Sequence, residues 1–112
     1  GERMKITGAG YVGIGTVSPE GYNSRARNLV VAGTGDVGIT IAGGSSNSST
    51  VQFADGTGGT AGYRGTIEYD HADDSMAFST AATETLSLNS DQSATFAGNI
   101  TLGDSHTIGD DW

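Results

Sequence analysis

The stretch "ERMKITGAGYVGIGT" (residues 2–16) admits two incompatible readings. Its centre, "GAGYVG" (8–13), spells G-x-G-x-x-G, whose glycines give a tight turn, let the backbone approach a pyrophosphate and let a following helix pack closely on its strand. Around that centre Met4 and Ile6, then Val12 and Ile14, alternate with other residues, the period of two that half-buried strands require. The first reading needs a helix after Gly13; the second needs a turn between two strands.

The residues after Gly13 decide against the helix. "IGTVSPEGYN" (14–23) contains Gly15, Pro19 and Gly21, which cannot carry a crossover helix. Asp36, after "LVV" (29–31), stands about where a ribose-binding acid belongs, but a βαβ unit fails without its helix. The same frame also returns downstream. "ETLSLNSDQSATFAG" (84–98) aligns without gaps on 2–16 at an offset of 82 residues, pairing Met4 with Leu86, Ile6 with Leu88, Val12 with Ala94 and Ile14 with Phe96. The second copy has Ser90, Gln92 and Thr95 where the first has Gly8, Gly10 and Gly13, so the strand pair recurs and the glycines do not. Gly8 and Gly10 are therefore read as shaping a hairpin turn, Gly13 and Gly15 as small outward-facing strand residues, and no nucleotide cofactor is expected.

Alternation extends through the chain: Leu29/Val31, Val37/Ile39/Ile41, Val51/Phe53, Ile67/Tyr69, Met76/Phe78 and Ile100/Leu102 join the four pairs of the two copies. Between them lie "AGTGD" (32–36), "GGSSNSS" (43–49), "DGTGGTAG" (55–62) and "DHADDS" (70–75), rich in residues that tolerate positive φ or form Asx turns. One helical turn is expected in "SPEGYNSRA" (18–26), with Ser18 as cap and Pro19 at the first helical position, cut short by Gly21 and Asn23. The pattern predicts an all-β chain with strands of about three to seven residues.

Composition says how such strands must be stabilised. Of 112 residues, 19 are Gly and 35% are hydrophobic, below the roughly 45–50% apolar share of ordinary domains. Gly loses the most entropy on ordering and buries no side chain, so a self-sufficient core is not expected. With no Cys, disulfides and thiolate zinc sites are excluded, which leaves oligomerisation as the source of burial. A net charge of −8 argues against nucleic acid and anionic membranes, both of which call for clustered Lys and Arg. No apolar run approaches the roughly 20 residues needed to span a bilayer, and membrane insertion is not expected. The repeat leads to the expectation of a cut from a longer array, with residues 1–16 ending a preceding repeat, 17–98 forming one full repeat, and 99–112 starting a following repeat or a fibre end.

"YVGIGTVSPE" (11–20) resembles an element that recurs in phage tail fibres and related bacterial surface proteins, and "YRGTIEYDHADDSMAFST" (63–80) resembles the segment that often comes after it there. "FADGTGG" (53–59) and "ETLSL" (84–88) also match, the family's E-R-M-R-I form of the latter being closer to Glu2–Ile6. The resemblance covers most of residues 2–98. It implies a homotrimer with strands intertwined or packed about a threefold axis as a β-prism or triple β-helix, joined to adjacent fibre or tail proteins. The implied place is an extracellular virion tail fibre, where the chain is a structural shaft segment, not an enzyme, with a contribution to attachment at a host surface glycan or protein. The alternatives are a tailspike-like polysaccharide depolymerase segment and a bacterial extracellular adhesin or filament subunit.

Several residues invite a chemical role. Asp70, Asp73 and Asp74 in "YDHADDSM" (69–76) lack the alternate-position acids and distal Glu of a calcium loop and read as a turn in which Asp70 bonds backbone amides. Glu68 with Asp70, or Glu84, offers carboxylates for glycoside hydrolysis, but among 13 acids some pair is always present. No Ser has a His and an acid patterned around it as a nucleophile requires. Asp104 and His106 alternate in phase with Ile100, Leu102 and Ile108, so three Asp104-x-His106 pairs on a threefold axis would offer six ligands to an octahedral metal. The simpler reading has Gly103 breaking that register. Tyr63, Arg64, Tyr69 and Trp112 are candidates for stacking on sugars, although Tyr69, in phase with Ile67, reads as core or interface and Trp112 as packing on a neighbouring repeat. No catalytic, cofactor-binding or metal-ligating residue is assigned, and the receptor-binding residues are left open.

Overall fold

Eight of the ten alternating stretches form strands in the computed structural model, which describes residues 3–105 and 107–109. They are β1 (Met4–Ile6), β2 (Val12–Ile14), β3 (Leu29–Val31), β4 (Ser48–Phe53), β5 (Gly65–Asp70), β6 (Ser75–Thr80), β7 (Thr83–Leu88) and β8 (Ala94–Phe96). The helical pieces among the described residues are two 3₁₀ turns, Pro19–Gly21 and Gly59–Tyr63. The chain is all-β and divides into two units, residues 1–40 and 41–112, each built on one sheet.

In the first unit β1 and β2 form an antiparallel hairpin, and β3 then pairs with β2 in parallel. The crossover, residues 15–28, runs without an α-helix. Arg27 ties it down: Nη2 donates to Tyr11 Oη at 3.1 Å, Nη1 donates to the Glu20 carbonyl at 3.3 Å, and the guanidinium carbon lies 4.8 Å from the Tyr11 ring centroid. Pro19 takes the first position of the 3₁₀ turn as expected, but the Ser18 side chain makes no capping hydrogen bond. A 3₁₀ turn of three residues leaves few amides to cap, and its closure comes instead from backbone bonds of Gly21 to Ser18 and Tyr22 to Pro19.

Two glycines correct the sequence reading. Gly13 is buried: a Cβ there would stand 2.5 Å from the Thr16 carbonyl oxygen and 3.3 Å from Pro19 Cδ, so its smallness lets the crossover fold onto the sheet. Gly15 has φ +78° and sits where a Cβ would collide with the Ala32 backbone, just past the parallel pair. Neither is strand filler facing outward; both permit close backbone approach.

The second unit is a five-stranded antiparallel meander in the order β4-β5-β6-β7-β8. Asp70↔Ser75 closes the β5–β6 hairpin, where the Asp70 carboxylate accepts from the Ala72 amide at 2.8 Å and Asp74 takes φ 51°. The β6–β7 turn is Ala81-Ala82, both at positive φ (49° and 60°), the backbone of a type I′ hairpin. A register shift between Phe78 and Ser79 has one structural effect: Glu84 pairs with Ser79 on the polar side rather than continuing the line of Leu86 and Leu88.

The two copies seen in the sequence fold into the same hairpin. Met4↔Ile14, Lys5↔Gly13 and Ile6↔Val12 in the first become Leu86↔Phe96, Ser87↔Thr95 and Leu88↔Ala94 in the second, each position displaced by 82 (4 to 86, 14 to 96). The turn bonds move with them: Thr7 N to Tyr11 O and Gly10 N to Thr7 O correspond to Asn89 N to Ser93 O and Gln92 N to Asn89 O. Gly10 has φ 85° and Gln92 φ 73°, so the turn keeps its shape although the glycine is gone.

Two expected strands are absent. Residues 37–41 and 100–102 alternate as predicted but pair with no strand among the described residues. Alternation prepares a segment to be half-buried; it does not provide a partner edge, and none is offered to them among the described residues.

Candidate functional site

Side chains on paired strand positions share a face, so each sheet's lateral composition follows from its register. In the first sheet Met4, Ile6, Val12, Ile14, Leu29 and Val31 all lie on one face. That face is uncovered, with Ile6 62% exposed. The opposite face carries Gly13, with Pro19 close to it, and Val30, which at 7% exposed is the buried hydrophobic residue among those described. The in-phase Met4, Ile6, Ile14 and Leu29 are exposed, and the out-of-phase Val30 is inside.

The second sheet repeats this on a larger scale. One row, Val51, Ile67, Phe78, Leu86 and Phe96, crosses all five strands, and a second, Tyr69, Met76, Leu88 and Ala94, crosses four. Phe53, two residues beyond Val51 on the same face, is 57% exposed. The other face is lined with Ser, Thr, Glu and Asp, among them Thr50, whose hydroxyl donates to Glu68 at 3.4 Å. Within its own unit, neither apolar face is covered by a second layer of described residues.

At one end of the larger apolar face lies a depression of about 340 Å³ with Met76 and Leu88 beside Tyr69, Asp74 and Asn89. Its polar atoms are engaged with one another: Tyr69 Oη donates to Asp74 Oδ1 at 3.0 Å, and Asn89 Nδ2 donates to Ser93 Oγ and Thr95 Oγ1 at 2.9 and 3.2 Å. Accepting in that bond, the Asp74 carboxylate favours the protonated phenol, and with some desolvation it raises the Tyr69 pKa above 10.0. Tyr69 thus belongs to the apolar face, while Tyr63 ends the second 3₁₀ turn and Arg64 reaches the exposed Asp55 at 4.0 Å.

Cross-strand register also creates a pair that spacing alone does not suggest: Ser49 Oγ and His71 Nε2 lie 2.9 Å apart, with the His71 ring edge-on to Tyr69 at 5.0 Å. A nucleophile–base–acid arrangement needs a third group orienting the imidazole. Among the described residues no carboxylate bonds His71, and the Ser–His bond joins the β4 and β5 ends of the sheet. The only signal for it in the sequence is the hairpin register, since 22 positions separate the two residues.

The acidic candidates are dispersed. Glu68 and Asp70 share the polar side of β5, Asp70 is committed to its turn, and Glu84 stands on β7, two strands away. Among the described residues no group of three His, Asp or Glu is placed to hold a metal ion. His106 of the Asp104-x-His106 pair, and Trp112, lie outside the described residues. No family model matches the chain, and neither a curated protein nor a solved structure matches it.

Proposed function

We propose that this chain is a structural shaft segment of an extracellular virion tail fibre, assembled as a homotrimer and joined end to end to adjacent fibre or tail proteins. One observation carries the reading: each sheet presents a continuous apolar face that no described residue of its own unit covers. A single-layer sheet cannot bury its own face, and three of them turned inward about an axis cover one another as a β-prism. The Ser-, Thr- and acid-rich face then points to solvent, and a net charge of −8 keeps a long particle from self-associating sideways. The work is mechanical, with attachment to a host surface glycan or protein as an added role, and no catalysis is assigned.

Light scattering on the purified chain tests the trimer. A mass three times that of the chain is the expected result. A monomer that unfolds cooperatively, with native near-UV dichroism, overturns it.

A further inference from the structure

The two copies of the hairpin continue differently. After β2, residues 15–28 cross over and return Asn28-Leu29-Val30-Val31 as the parallel strand β3, with the Asn28 carbonyl accepting from Val12 N at 2.8 Å. After β8 comes Asn99-Ile100-Thr101-Leu102, again Asn followed by apolar, β-branched and apolar residues. Residues 100–102 form no strand, Ile100 is 52% exposed, and β8 is the last strand of its sheet, its outer edge unpaired among the described residues. A β3-like segment and a β2-like edge therefore stand in one unit without meeting. They cannot meet there: only residues 97–99 separate them, and a parallel return needs about a dozen.

We infer that the pairing is made between chains: residues 100–102 of one copy add in parallel to the outer edge of β8 of a neighbouring copy, in the register that β3 has on β2. That register, Val12↔Leu29, Gly13↔Val30 and Ile14↔Val31, sets Ala94 beside Ile100, Thr95 beside Thr101 and Phe96 beside Leu102. Ile100 and Leu102 then extend the apolar face next to Ala94 and Phe96, and the edge amides and carbonyls of β8 gain partners. The inference rests on the self-association proposed above and names the strand through which neighbours are linked.

The chain has no Cys, so engineered thiols report without background. Chains carrying Thr95→Cys and chains carrying Thr101→Cys are refolded together and oxidised, and a second mixture uses Ala94→Cys with Ile100→Cys. Paired strands hold Cα atoms within disulfide range, and the expected product is a covalent dimer of the two different chains in both mixtures. Ser87→Cys with Thr95→Cys in one chain, across the β7–β8 pair, checks that β8 is formed and is expected to close within the chain. The inference is overturned if neither mixture crosslinks while that control closes, if the control fails to close, or if Thr95→Cys and Thr101→Cys placed in one chain bond to each other within it. A trimeric mass without these crosslinks removes the strand exchange and leaves the shared core standing; a monomeric mass removes both.

Discussion

At the scale of single residues, the two hairpin copies act as an internal mutant pair. Gly10 and Gln92 occupy the same turn position at φ 85° and 73°, a region that costs a residue with a Cβ about 1 kcal/mol or more. Gln92→Gly is expected to stabilise the fold by about 1 kcal/mol and Gly10→Gln to destabilise it by a similar amount, read as shifts of the urea midpoint at unchanged slope. Ala81 and Ala82 sit in the same region, so the double substitution Ala81→Asn with Ala82→Gly is expected to stabilise further, since Asn-Gly is the preferred type I′ dipeptide. The neighbouring acid gives a pH test. Asp91 Oδ1 accepts from Ser93 Oγ at 2.6 Å and Ser93 N at 3.0 Å, and these bonds lower its pKa below 3.8. A depressed carboxylate contributes stability that is present above its unfolded pKa and lost as pH falls through the folded one. Asp91→Ala is therefore expected to be less stable than the parent at pH 6 and to converge with it as the pH falls through the lowered folded-state pKa, below 3.8. A constant gap across that range removes the carboxylate as the cause.

At the scale of elements, period two located the paired strands because each one's apolar side chains do share a face. It did not tell which strands pair, nor what covers the face. The parallel β2–β3 pair was hidden because a parallel connection is ordinarily marked by a helix, and here a crossover tied down by Arg27 replaces it. Gly13 and Gly15 looked like strand filler because their neighbours, Pro19 and Ala32, become neighbours only after that crossover. The Ser49–His71 bond likewise follows from register and not from spacing. Residues 37–41 and 100–102 carry the alternation without a paired strand among the described residues, because alternation does not by itself supply an edge to pair with. The two faces of β6 provide the test. Phe78 belongs to the row crossing all five strands, whereas Ala77 points to the polar side. Phe78→Ala is expected to cost about 3–5 kcal/mol per chain in the assembly and to lower the fraction associated. Ala77→Ser should stay within about 0.5 kcal/mol of the parent. Equal, small effects at both positions, measured by denaturation and sedimentation, would show that the Phe78 face stays in water.

At the scale of the whole molecule, the chain has folded its backbone without hiding its side chains. Hydrogen bonding closes both sheets, yet Val30 is the buried hydrophobic residue among those described, so the hydrophobic contribution that normally offsets conformational entropy has still to be supplied. In the proposed trimer association supplies it, and stability becomes a function of concentration. For a trimer that unfolds to three chains, tenfold dilution lowers the unfolding free energy by about 2.8 kcal/mol per trimer; for a dimer the figure is about 1.4 kcal/mol, and for a monomer it is zero. Thermal unfolding followed over a hundredfold range of chain concentration therefore distinguishes the three cases from one data set. The expected result is a midpoint that falls on dilution with the trimer's slope, accompanied by loss of the trimeric mass at the same concentrations. A midpoint independent of concentration would mean that each chain is stable with both apolar faces in water, against the surface it exposes and the composition it carries.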